Sequence, residues 1–131
     1  MPLGDARAVD SAVLNAQRLR DVLRGTPAFG AFIFAVVGDN RLYSRMLSLD
    51  IAEDPATGSA AGPLGAFAVK YGLVPRAPMV AIVNEQGTKI GRQSFIHIEL
   101  TYGDSPDIPT RIEVGGSVRP VLTGTLSDFS E

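Results

Sequence analysis

Residues 53–71 read EDPATGSAAGPLGAFAVKY. From Ala60 to Tyr71 almost every face of the implied helix is apolar or tiny, and a helix of that kind has to be enclosed by protein. Gly62, Gly65, Ala66 and Ala68 keep its girth small, so strands can approach closely, while Leu64, Phe67 and Val69 fill what remains. Pro63 reads as a first-turn residue, where its missing amide hydrogen would have no intrahelical partner. A strongly curved, mostly antiparallel sheet or barrel wrapped around one central helix satisfies this pattern. Ahead of the helix the chemistry changes. Thr57, Gly58, Ser59 and Ala60 form its mouth, where free amides and the positive dipole end favour a carboxylate or phosphate. Asp54, held by Pro55, is positioned beside that mouth to give or take a proton. In the alternative reading, Thr57 or Ser59 merely caps the helix and Asp54 merely meets its dipole. A phosphate-binding P-loop fits poorly, because no Gly-Lys-Ser/Thr follows the glycines.

The flanking segments supply the sheet. Residues 9–25, VDSAVLNAQRLRDVLRG, place Val9, Val13, Ala16, Leu19 and Leu23 at helical spacing and predict one amphipathic surface helix. Asp10 serves its first turn and Gly25-Thr26-Pro27 stops it, with the arginines on a solvated face. Residues 28–50 read as a β-hairpin turning at Gly38-Asp39-Asn40. In its second strand Leu42, Met46 and Leu49 cannot share one face, which predicts a bulge or a change of burial. Residues 77–87 and 94–102 read as strands, the latter with Ile96, Ile98 and Leu100 on its single apolar face. Residues 101–110 form a polar loop, 110–126 two short strands around Gly115-Gly116, and 127–131 a frayed tail. The class is α+β, in the order α, β, β, α, β, β, β, β, with one surface helix beside the central one.

At 131 residues the chain (1–131) is read as a single domain. A net charge of −2 offers no basic footprint, which argues against a nucleic-acid partner. Without cysteine there is no disulfide, thiolate metal site or cysteine nucleophile. No apolar run approaches ~20 residues and no signal-peptide pattern opens the chain, so a soluble cytoplasmic protein with no membrane partner is expected. His97 alternates with apolar neighbours on a strand and reads as solvent-facing; one imidazole is a poor metal site, and no metal is expected. Arg92, after Gly91 on a loop, is a weaker candidate for steadying a substrate carboxylate. Tyr43, Arg45 and Met46 either line a cleft or shape an interface.

Three segments together carry a resemblance: EDPATGSAAGPLGAF (53–67), NEQGTKIGRQSFIHIEL (84–100) and VGGSVRPVLTGTL (114–126). In that order they resemble the signature, the Glu-Gln-Gly to Gly-Arg-Pro-Ser segment and the closing Gly-Gly strand pair of the phenazine-biosynthesis PhzF-like family, within the diaminopimelate epimerase fold superfamily. The resemblance implies two similar lobes, each a curved sheet around a central helix, with the active site between them. It also implies cofactor-independent isomerisation or epimerisation of small carboxylic acids by proton transfer. By the motif, Asp54 corresponds to the family's aspartate near the reacting centre, and Gly58 and Ser59 to its substrate-holding residues. Family members are about twice as long, and this chain corresponds to the C-terminal lobe alone, without the lobe that carries the principal acid/base glutamate. Gln93 stands where the family usually has proline. The missing lobe is expected from a second copy in a homodimer, which would bring two Asp54 carboxylates to one site, or from a separately encoded N-terminal half. The alternative is a non-catalytic small-anion-binding or structural lobe that keeps the helix mouth.

Overall fold

The computed structural model describes residues 1–49, 53–103 and 107–125. The amphipathic stretch near the N-terminus forms two helices, α1 (Ala6–Ser11) and α2 (Ala16–Leu23), where a single one was expected. The break has a local cause. Asp5 caps α1 by accepting from the Ala8 amide at 2.7 Å, and Asn15 starts α2 by accepting from the Arg18 amide at 2.9 Å, so two caps compete with one continuous helix. Asp10 is no cap: its Oδ1 accepts from the Tyr43 hydroxyl at 2.7 Å. Burial, reinforced by that bond, raises the Tyr43 pKa and keeps the phenol protonated.

Five strands follow: β1 (Gly30–Gly38), β2 (Arg41–Ser48), β3 (Met79–Gln86), β4 (Ser94–Tyr102) and β5 (Pro109–Gly115), with α3 (Gly58–Lys70) between β2 and β3. They form one sheet in the order β1-β2-β3-β4-β5. All neighbours are antiparallel except β2 and β3, which run parallel from Arg41↔Val83 to Ser44↔Gln86. A parallel pair needs a crossover, and α3 supplies it. The β1-β2 hairpin turns at Asp39-Asn40, with Asn40 at φ 52°, a conformation asparagine tolerates. The irregularity expected in the second strand lies instead in β1, between Val36 and Gly38. β2 is buried along both faces: Leu42 joins the core beneath α3, while Tyr43 packs with Val9, Ile33 and Ala35.

The sheet forms a trough around α3. A Cβ on Gly62 would lie 3.1 Å from Ile112 Cγ2 of β5, and one on Gly65 2.8 Å from Ile98 Cγ2 of β4. At the other flank the Phe67 ring meets Phe34 of β1 edge-on, with centroids 6.0 Å apart. Ala61, Leu64, Ala68 and Val69 close the core over Val80, Ile82, Ile98 and Leu100. The enclosure is less complete than expected: β1 and β5 remain the two edges of an open sheet, and Tyr71 stays exposed. Pro63 also needs a different account. Because α3 starts at Gly58, Pro63 lies inside it, and without an amide hydrogen it cannot bond the Ser59 carbonyl one turn back. Ser59 faces solvent, where water can serve that carbonyl.

The closing strand pair is half formed. β5 is present, but residues 116–125 form no strand, and Val118, Val121 and Leu122 are 89%, 93% and 91% exposed. A short apolar segment without a neighbouring strand has nothing to bury against. The frayed tail at 127–131, Asp50 of the hairpin and residues 104–106 of the polar loop lie outside the described residues. No described helix is long and apolar enough to cross a membrane.

Candidate functional site

The segment from β2 to α3 is fastened at several points before the helix begins. Arg45 holds Glu53 in a fork, Nε to Oε1 at 2.9 Å and Nη2 to Oε2 at 2.8 Å. Its Nη1 donates to the carbonyls of Val9, Asp10 and Ala12 at 2.9, 3.1 and 3.1 Å. One guanidinium thus ties the motif loop to the C-terminal end of α1, where the Val9 carbonyl also accepts from the Ala12 amide at 3.3 Å. The Glu53 hydrogen bond raises the Arg45 pKa still further above its ordinary value. Arg45 is therefore a strut between elements, and Tyr43 beside it does the same through Asp10.

Asp54 is half-buried and bridged to Met46 of β2. Its Oδ2 accepts from Thr57 Oγ1 at 2.8 Å and its Oδ1 from the Ala56 amide at 3.3 Å. Thr57 is the N-cap residue of α3 by position, yet its side chain makes no capping bond; the hydroxyl is spent on Asp54. The simple capping reading of Thr57 is thereby corrected. Its carbonyl accepts from the Ala60 and Ala61 amides, both at 3.2 Å, while the Gly58 and Ser59 amides lie in the first turn, where no intrahelical acceptor exists.

Beneath this turn lies Gln86, fully buried at the end of β3. Its Nε2 donates to the Asp54 carbonyl at 2.7 Å and to Thr57 Oγ1 at 2.8 Å, and its Oε1 accepts from the Thr57 amide at 3.1 Å. Gly87 follows with φ 81°, and a Cβ there would collide with the carbonyl oxygens of Pro55 and Arg92, so this position needs glycine twice over. Gln86 was not singled out as a site residue from the sequence. Its signal was present: in MVAIVNEQ the alternation that buries Val80 and Ile82 also buries Asn84 and Gln86, and polar residues on a core face need partners.

A cleft of about 500 Å³ opens beside the start of α3, running from Ala56 and Gly58 to Ser94 and Phe95 of β4 and to Gly115 and Gly116. The candidate residues therefore divide. Asp54 and Thr57 are joined directly and Gly58 borders the cleft. Ser59 is solvent-exposed, and Ala60 lines a separate apolar groove with Phe32, Pro63 and Phe67. Gln93 lines the cleft and donates to Glu85 Oε1 at 2.8 Å, which also accepts from Thr88 Oγ1 at 2.5 Å. Arg92 is exposed, with its backbone amide on the Gly87 carbonyl at 2.9 Å. His97 is exposed on the sheet face away from α3, between Val83 and Gly115.

This architecture is that of an α+β lobe in which a helix in a curved sheet presents its N-terminus beside an acidic loop. The same fold occurs in the crystal structure of the Bacillus anthracis phenazine biosynthesis protein of the PhzF family, with a TM-score of 0.71 and 19% identity, over 88% of this chain and 40% of that one. The sequence model of the family described as "Phenazine biosynthesis-like protein" matches residues 1–124, and the chain belongs to that family. Among its relatives, "Uncharacterized isomerase YddE" of Escherichia coli (strain K12) is 28% identical over 121 residues, covering 89% of this chain and 40% of the relative. "Uncharacterized isomerase YfhB" of Bacillus subtilis (strain 168) is 30% identical over 131 residues, covering 95% and 40%. "Trans-2,3-dihydro-3-hydroxyanthranilate isomerase" of Pseudomonas fluorescens is 40% identical over 95 residues, covering 71% and 32%. The chain spans 40% or less of the length of each of these curated relatives.

Proposed function

We propose that this chain is one lobe of an isomerase that moves a proton on a small carboxylic acid without metal or organic cofactor, its active site completed by a second lobe. The observation that carries the reading is the turn itself: in a chain of this family, Asp54 is bonded to the N-cap residue of a helix whose first amides are free of intrahelical partners. A substrate carboxylate would dock on the Gly58 and Ser59 amides, with the Ser59 hydroxyl and the Ala60 backbone beside it. Asp54 would then exchange a proton with the carbon next to that carboxylate. The length relation to the relatives and the exposed apolar residues along one flank of α3 favour a second lobe across the helix mouth. That lobe is a second copy of this chain or a separate N-terminal half, and no nucleic acid or membrane partner is invoked. A lobe that only binds a small anion, or only assembles, is the alternative.

The test is solvent-deuterium incorporation at the α-carbon in heavy water, followed by proton NMR. The probes are a panel of small amino and hydroxy acids and trans-2,3-dihydro-3-hydroxyanthranilate, the compound named for one relative. Light scattering on the same samples gives the mass. Exchange by a dimer supports the proposal with a second copy as partner. A monomer that binds a carboxylate without exchanging any probe supports the anion-binding alternative.

A further inference from the structure

Gln86 sits where hydrogen-bond polarity can be assigned without ambiguity. The Thr57 amide can only donate, so the atom 3.1 Å from it must be the oxygen of the Gln86 side chain. The Asp54 carbonyl can only accept, so the atom 2.7 Å from it must be the nitrogen. The two contacts agree on one orientation of the amide. That nitrogen has two hydrogens, one aimed at the Asp54 carbonyl and the other at Thr57 Oγ1, 2.8 Å away. The Thr57 hydroxyl therefore accepts from Gln86, and its own single hydrogen is directed to Asp54 Oδ2 at 2.8 Å. The chain of donors runs one way, from Gln86 through Thr57 to the carboxylate, and its first member is wholly buried at the end of a strand.

We infer that Gln86 is the positioning residue of the site: its amide ties the Asp54 carbonyl to Thr57 and so aims the Thr57 hydroxyl at Asp54 Oδ2, holding that carboxylate in one orientation. Resting on the proposed isomerase reading, this keeps the Asp54 carboxylate aligned beside the first amides of α3, where the substrate would dock. Gln86 touches no substrate in this scheme; it acts through Thr57. Its placement follows from the register that pairs it with Ser44 and Ser94 and from the close approach of Pro55 to Gly87, which brings the turn down onto the strand end.

The two side-chain protons of Gln86 give separate NMR signals, so each half of the claim can be read independently of any reaction. In the wild type both should exchange with water at least about tenfold more slowly than those of the exposed Gln17. Thr57→Val, which keeps the shape and removes the hydroxyl, should release one of the pair and leave the other protected by the Asp54 carbonyl. Thr57→Ser should protect both again. Two fast protons in the wild type, or a Thr57→Val protein that releases both or neither, would overturn the assignment. The heavy-water assay separates this from the reaction: the NMR pattern without exchange of any probe acid leaves Gln86 as assigned and removes the isomerase reading. Exchange that is unchanged in Thr57→Val, with Thr57→Ser as control, overturns the positioning of Asp54 through Thr57.

Discussion

The two ends of α3 rest on different materials. Its C-terminal half, Gly65 to Lys70, lies on Ile82, Ile98 and Leu100, all aliphatic, and is held by shape. Its N-terminal turn lies next to Gln86, and the core-facing row below it continues with Asn84 and Ser44, each fully buried. The first end is held by burial, which is tolerant of direction. The second is held by hydrogen bonds, which are not. A fold that needed α3 only for its core would gain nothing by sinking the Gln86 amide under one end, since such a group costs free energy unless it is paired. What the polar end achieves is a turn with one geometry, in which Asp54, Thr57 and the first free amides of the helix keep fixed relations.

The contrast can be broken from either side. Truncation at the aliphatic end should cost most: Leu100→Ala removes a fully buried side chain and should destabilise by about 2–5 kcal/mol in urea unfolding. The Asp54–Thr57 turn should keep its hydrogen bonds in whatever fraction remains folded. Gln86→Met keeps the bulk but strands the Asp54 carbonyl and the Thr57 amide and should cost about 1–3 kcal/mol. Here the damage should be local, visible as faster amide exchange at Ala56 and Thr57 while Ile98 and Leu100 stay protected. Asn84→Leu should act in the opposite sense. Both side-chain polar atoms of Asn84 are buried without a partner among the described residues, so a leucine of similar volume should be neutral or stabilising by up to about 1 kcal/mol. If it destabilises, Asn84 has a partner in solution and the polar end extends one residue pair further than described.

Much of this was legible in the sequence because it depends on periodicity and backbone preference. Alternation placed Ile96, Ile98 and Leu100 on the buried face of β4, and the small residues of α3 foretold the close approach of β4 and β5 at Gly65 and Gly62. Two local errors came from competing caps. Asp10 looked like an N-cap, but Asp5 and Asn15 take that role and break the helix, freeing Asp10 for Tyr43. The start of α3 was read two residues late, which hid the interior position of Pro63. Closure around the helix and the last strand depend on long-range pairing, which no local pattern encodes. At the site, the acidic loop and glycine-rich helix start were visible, but the direction of the Thr57 hydroxyl was not: it is set by Gln86, 29 residues away.

The proposed function requires that the polar end of α3 hold Asp54 for proton transfer. It is tested most directly by Asp54→Asn, which keeps an oxygen for the Thr57 hydroxyl, in the heavy-water exchange assay used on the wild type. The account predicts an unfolding transition close to that of the wild type and a loss of α-deuterium incorporation of about a hundredfold or more. Incorporation at the wild-type rate in a folded Asp54→Asn protein would contradict it.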